Sequence, residues 1–191
     1  MKHRSAFAPA VAVALCLAGA PLAAQEVEEY EGDREPRAAL GLAVGLVEPG
    51  EDVETYLTAQ LRLRLGKRES WRGSQQQEGV DAYVEPEVGY WEHGDTGASD
   101  LMVGVNLVGV VPFGNVESFF GIGAAVHSVD GELLEEPSDD SATKFGANSH
   151  FGLDLFLSRS WSLYGTGRFD LVQDAARSSQ PKVFLGVRGR F

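Results

Sequence analysis

The chain has 191 residues, with 28 acidic side chains against 16 basic, a net charge of −12 and one cysteine. That length suits one domain behind a leader, and the acid excess excludes the basic face that nucleic-acid binding requires. Because the lone cysteine, Cys16, falls in the leader, disulfides, zinc thiolates and a cysteine nucleophile are excluded from the rest of the chain.

The first 24 residues read as a secretory signal peptide: Lys2 and Arg4, an apolar run from Ala6 to Ala20, then small residues. Cleavage is expected after Ala24, with Ala18-Gly19-Ala20 marking the other candidate site. Removing Lys2 and Arg4 leaves 14 of the 16 basic residues against 28 acidic, a net charge of −14. Residues 25 to 36 carry Glu26, Glu28, Glu29, Glu31, Asp33 and Glu35 with little to bury, and read as an acidic disordered lead-in.

From residue 37 to 191 the chain repeats segments of alternating apolar and polar residues separated by turns, the pattern of a transmembrane barrel. Residues 37 to 47 place Leu40, Leu42, Val44 and Leu46 on one face and mostly Ala and Gly on the other. Residues 55 to 66 set Leu57, Leu61, Leu63 and Leu65 against Tyr56, Thr58, Gln60, Arg62 and Arg64. The third segment, 81 to 91, opposes Val84, Val88 and Tyr90 to Tyr83, Glu85 and Glu87, and Pro86 interrupts it. Proline has no amide proton for a ladder, so a bulge or an irregular strand is expected there.

Residues 100 to 111 turn Leu101, Val103, Val105 and Leu107 outward, with Asn106 as the one polar inward side chain. Residues 116 to 129 direct Phe120, Ile122 and Val126 outward and Glu117 and His127 inward. The sixth segment, 145 to 157, opposes Phe151, Leu153 and Leu155 to Asn148, His150 and Asp154. The seventh, 161 to 172, opposes Trp161, Leu163, Phe169 and Leu171 to Tyr164, Thr166, Arg168 and Asp170. The last, 182 to 191, alternates Val183, Leu185, Val187 and Phe191 with Lys182, Arg188 and Arg190.

The fold expected is all-β: an eight-stranded antiparallel up-and-down transmembrane β-barrel with lipid outside and charge inside. A soluble barrel with its apolar residues inside would instead put the charged side chains on one continuous outer face and need no signal peptide. Even strand number puts both ends on one side, with short turns at 112–115 and 158–160 and the acidic 130–143 loop and the 174–181 loop on the other. The connection from 67 to 80 is too long for the short-turn side: either strands two and three project as a polar hairpin, or an element there is unread. Trp161 and Phe191 would mark one interface, Tyr90 and Phe145 the other.

Three stretches then carry a family likeness: Phe113-Gly114-Asn115-Val116-Glu117-Ser118-Phe119-Phe120-Gly121-Ile122-Gly123, Trp161-Ser162-Leu163-Tyr164-Gly165, and Val183-Phe184-Leu185-Gly186-Val187 running to Phe191. They resemble the small outer-membrane β-barrel superfamily that includes the OmpA transmembrane domain, OmpX and the opacity proteins. The likeness covers residue 37 to the end and rests on the order of strands. It implies a bacterial outer membrane, contact with lipid and lipopolysaccharide, and an assembly signal, Val183, Leu185, Val187 and Phe191, read by the barrel-assembly machinery. Gly189 stands where that pattern commonly has a bulky residue.

Eight strands enclose an interior just wide enough to be filled by side chains, so the inward charges must pair. Arg62 and Arg64 are expected to face Glu85 and Glu87, and Arg188 and Arg190 to meet Glu117 and Asp154 near the end holding both termini. His150, Arg168, Asp170 and Lys182 would form a second polar layer. This reads as a salt-bridged plug, with a narrow gated channel for small solutes as the alternative.

A lipid A-modifying enzyme would need a histidine and a serine on one face. The adjacent pairs His127-Ser128 and Ser149-His150 point to opposite faces in a strand, so no catalytic residue is assigned. The acidic outer loop (Asp130, Glu132, Glu135, Glu136, Asp139, Asp140) lacks the spacing of an EF-hand and reads as solvated rather than as a calcium site. No cofactor or metal is expected, and the protein is expected to be monomeric.

Overall fold

Eight antiparallel strands close on themselves in chain order, β1 bonding to both β2 and β8. They are β1 (Ala38–Val47), β2 (Glu54–Arg64), β3 (Asp81–Glu92), β4 (Ser99–Phe113), β5 (Val116–Gly131), β6 (Ser138–Phe156), β7 (Trp161–Val172) and β8 (Ser179–Arg190). The computed structural model describes residues 37–48, 53–65, 80–92, 98–131, 138–173 and 179–191, without side chains at 131 and 138–141. The signal peptide, the lead-in, all of the long 67–80 connection but Val80, and the acidic loop at 132–137 lie outside the described residues, as do 174–178.

Closure follows from the ends. Ala38 N donates to Phe191 O at 3.1 Å and Phe191 N to Ala38 O at 3.0 Å, so the two ends of the barrel sequence are tied together. At the same rim Gly114, with φ of 66°, takes the left-handed first position that a two-residue hairpin turn demands. The faces alternate as the periodicity predicts. Leu163, Phe169 and Leu171 are exposed while Ser162, Tyr164, Thr166, Arg168 and Asp170 are buried, and the same division holds in β2, β3 and β8. Polar side chains inside and a leucine, valine and phenylalanine belt outside are the inverse of a soluble core, and suit a hydrocarbon solvent.

Three local expectations change. Strand β6 begins at Ser138, seven residues before Phe145, because Ala142–Lys144 pairs with His127–Val129 and, across a register shift, Ser138 with Gly131, despite the polarity of the segment. Pro86 produces no bulge: the β2–β3 register is the same on both sides of it, and only the Leu61–Pro86 and Arg62–Glu85 pairs drop out. Asn106 is not the sole polar inward residue of β4, since Asp100 is buried on the same face.

The hairpin β5–β6 is longer than the membrane requires. Nineteen residues in β6, at about 3.3 Å each and a tilt of about 45°, rise roughly 45 Å against an apolar band of about 25 Å. Strand β6 runs on past the described end of β7, whose last bond to it is Gln173 N to Phe145 O at 2.8 Å, while β5 stays paired with β4 as far as Ser99–Asp130.

Strand β1 is the narrow wall of the barrel. Gly41 leaves room for the Tyr164 ring, and a Cβ on Gly45 would sit 2.3 Å from Phe184 Cβ and 2.2 Å from Val183 O. The small inward face, featureless in the sequence, is the space that the large rings of neighbouring strands occupy. Gly189 is likewise covered, on the outside, by the Trp161 indole at 3.4 Å from its Cβ position, an aromatic-over-glycine pairing. Gly45→Val is therefore expected to abolish the closed barrel, read as loss of heat-modifiable migration on a gel, whereas Gly114→Ala at the turn leaves the shift in place and lowers stability by about 1 kcal/mol.

Candidate functional site

The inward faces meet in one bonded network along the barrel axis. Its centre is Glu87 on β3, which accepts from Thr58 Oγ1 at 2.8 Å, Gln60 Nε2 at 3.3 Å, Asn106 Nδ2 at 3.0 Å and the Arg168 guanidinium. Arg168 Nε also donates to Asp170 Oδ1 at 2.7 Å, and Asp170 Oδ2 lies 2.7 Å from Lys182 Nζ. Toward the end holding the termini, Arg62 donates to Glu85 at 2.8 Å and to Asp154 at 3.3 Å. Asp154 also accepts from Arg188 and, at 3.1 Å, from Ser162. Arg188 Nη2 reaches Gln60 Oε1 at 3.1 Å, which joins the two halves.

The rim closes with a two-point Arg190–Glu117 pair, at 2.8 and 3.3 Å, and with Arg64–Asp81 at 2.9 Å. Thus Arg62 meets Glu85 as expected of their neighbouring strands, but Arg64 pairs with Asp81 rather than with Glu85 or Glu87. Glu87 instead takes Arg168 from the far wall. His150 is buried directly opposite Arg168 on the paired strand, with Nε2 at 3.7 Å from Glu85 Oε1, so it lies between the two groups. Arg188 and Arg190 do meet Asp154 and Glu117.

Aromatic rings fill what the charges leave. Arg62 and Arg188 lie 4.6 and 5.4 Å from the Phe119 centroid, Arg188 also stacks 4.1 Å from Tyr164, and Lys182 sits 4.4 Å from Tyr56. Such contacts gain strength where water is excluded. Phe119 was readable from the sequence, since it shares its face with Glu117 and His127. Toward the other rim Val47, Trp91, Ala98 and Val129 belong to one buried apolar cluster. Arg188, Lys182, Tyr164, Met102 and His127 are each at most 2% exposed, so no water-wide lumen passes them.

His127 and His150 face inward. His127 is fully buried and its Nδ1 donates to Asp100 Oδ2 at 2.8 Å, a pair with the geometry of an oriented base. Its Nε2 has no hydrogen-bond partner among the described residues, so no nucleophile shares its proton. Ser149, next to His150, is exposed on the outer face. Among the described residues no cluster of three metal-ligating side chains forms.

No protein-family profile and no curated protein sequence matches the chain. Solved structures do. Neisserial surface protein A aligns over 81% of this chain and 96% of its own at a TM-score of 0.56 and 12% identity. The outer membrane enzyme PagL aligns over 80% and 99%, at 0.53 and 18%. The N-terminal β-barrel domain of Pseudomonas aeruginosa OprF aligns over 82% and 100%, at 0.52 and 10%. The fold is that of the small eight-stranded outer-membrane β-barrels, as the resemblance in the sequence implied.

Removing one member of a buried pair strands its partner's charge, which costs about 3–5 kcal/mol. Arg168→Met is expected to lose that much in reversible urea unfolding from micelles, and Arg168→Met with Glu87→Leu to recover most of it. Arg64→Met, at the partly buried rim, is expected to lose less, about 1.5–3 kcal/mol.

Proposed function

We propose that this protein is a non-enzymatic outer-membrane barrel, a watertight anchor that serves a structural or surface-interaction role. The observation that carries this reading is the filled interior: charged and aromatic side chains from every strand except β1 occupy the axis. A channel needs a continuous aqueous path, and Arg188, Lys182 and Tyr164 stand across it.

The part available to the outside is the far end of the β5–β6 hairpin, where β6 extends past the described end of β7, with Asp130 and the acidic loop residues Glu132, Glu135 and Glu136 at its tip in sequence. The outer belt of Leu, Val and Phe is the surface offered to outer-membrane lipid and lipopolysaccharide. Val183, Leu185, Val187 and Phe191 all face outward, where assembly machinery reading a terminal strand would meet them. Secretion through the leader, assembly as a monomer and absence of nucleic-acid contact complete this reading.

PagL is an enzyme on the same fold, which makes catalysis the reading to test against. Against it stands the placement of His127 and His150, neither of which bonds a serine among the described residues. Purified protein in planar bilayers is expected to give no discrete openings; regular openings would make it a channel. Mass spectrometry of lipid A from cells with and without the protein is expected to show one acyl pattern, and a protein-dependent change would make it an enzyme.

A further inference from the structure

The eight seams of the barrel are not equally built. Among the described residues the β2–β3 ladder pairs seven residues of each strand, against nine on the closing β1–β8 seam. The cause is chemical. The Leu61–Pro86 pair and the Arg62–Glu85 pair both need an amide proton at residue 86, and proline has none, so the Leu61 carbonyl gets no bond from across the seam. The opposite side of β3 pairs without a gap, Pro86 against Val105 included.

Side chains cross this seam in compensation. Thr58 and Gln60 bond to Glu87, Thr58 to Val88 O at 3.1 Å, Arg62 to Glu85 at 2.8 Å and Arg64 to Asp81 at 2.9 Å. The Arg62–Glu85 bond spans the very position at which the backbone pair is missing. The β1–β8 seam has no such row, because the inward face of β1 is Ala39, Gly41, Ala43, Gly45 and Val47. There an unbroken ladder and the close fit of Gly45 against Phe184 hold the strands.

We infer that the β2–β3 seam is a latched opening in the barrel wall: the wall parts first at Leu61–Pro86, and the Arg62–Glu85 bond is the latch. Opening there breaks side-chain bonds between the two strands that part, whereas parting β1 from β8 breaks no such bond among the described residues, since the inward face of β1 is small and apolar and Lys182, Arg188 and Arg190 of β8 bond to other strands. The latch thus couples the interior charge network to the integrity of the wall. Glu85 also lies 3.9 Å from Arg188 and 3.7 Å from His150, so the groups that share it from β8 and β6 bear on the same bond.

Hydrogen exchange of the full folded chain in micelles, read by mass spectrometry with peptide resolution, tests this. In the unaltered protein, peptides over 57–64 and 83–88 are expected to exchange faster than those over 39–46 and 183–189. Glu85→Gln is expected to speed the first pair about tenfold and leave the second pair unchanged. Pro86→Ala, which supplies the missing amide proton and leaves every latch residue in place, is expected to slow the same peptides. Should Glu85→Gln not fold, the Pro86→Ala comparison decides alone. Faster exchange at β1–β8 than at β2–β3, or β2–β3 exchange that Pro86→Ala does not slow, would overturn the inference.

Discussion

A charge within an eight-stranded barrel has nowhere to go. Lipid surrounds it, the interior is too narrow for bulk water, and an ion left alone there costs several kcal/mol. Glu87 shows how the chain meets that constraint, with partners from β2, β4 and β7 converging on one carboxylate. Asp154 does the same with β2, β7 and β8, and Asp170 with β7 and β8. Glu87 and Asp154 tie together strands far apart in sequence, so the network fixes register from β2 round to β8. A one-residue slip in β2 would turn Arg62 and Arg64 outward, at a cost of about 2–4 kcal/mol for an arginine at the membrane centre and less for Arg64 at the rim, and would break their pairs besides.

The barrel fills its interior unevenly. Large rings on β2, β5, β7 and β8 point at the axis, and β1 yields to them with alanine and glycine. Size complementarity and charge complementarity are divided between seams: β1 meets its neighbours by close backbone approach, β2 and β3 by polar side chains. The same division leaves the β2–β3 ladder interrupted at a proline on the seam with the densest side-chain stitching, while the β5–β6 register shifts only near its far end, between Val129 and Gly131. Outside, the membrane asks only for apolar surface, and Leu, Val and Phe supply it without specific pairing.

Much of this was written in the alternation. Strand number, chain order and the inward or outward sense of Arg62, Glu85, Asp154, Arg168 and Arg188 follow from period two and turn placement. Contacts between adjacent strands were legible too, such as Arg62 with Glu85. Partners across the lumen were not, because Arg168 reaches Glu87 only through the shear and diameter of the closed barrel, which no local pattern encodes. The start of β6 escaped notice for a related reason: Ser138–Lys144 is polar on both faces, since it stands above the membrane and has no lipid to meet. Asp100 and Phe119 are different, as each has the parity of recognised inward neighbours. The Pro86 interruption was visible, but its outcome depended on whether the missing proton faced β2 or β4.

The account rests on a dry, filled interior behind a lipid-facing wall. Cys16 is the only cysteine and lies in the leader, so single cysteines can be placed by substitution at inward Ala125, Ser162 and Thr166 and at outward Leu163, Leu171 and Val183. In folded protein reconstituted in bilayers, the inward thiols are predicted to resist a membrane-impermeant maleimide, and nitroxides on the outward ones to be relaxed strongly by dissolved oxygen and weakly by aqueous nickel. Rapid maleimide labelling at Ser162 and Thr166, or oxygen accessibility without the period of two, would contradict it.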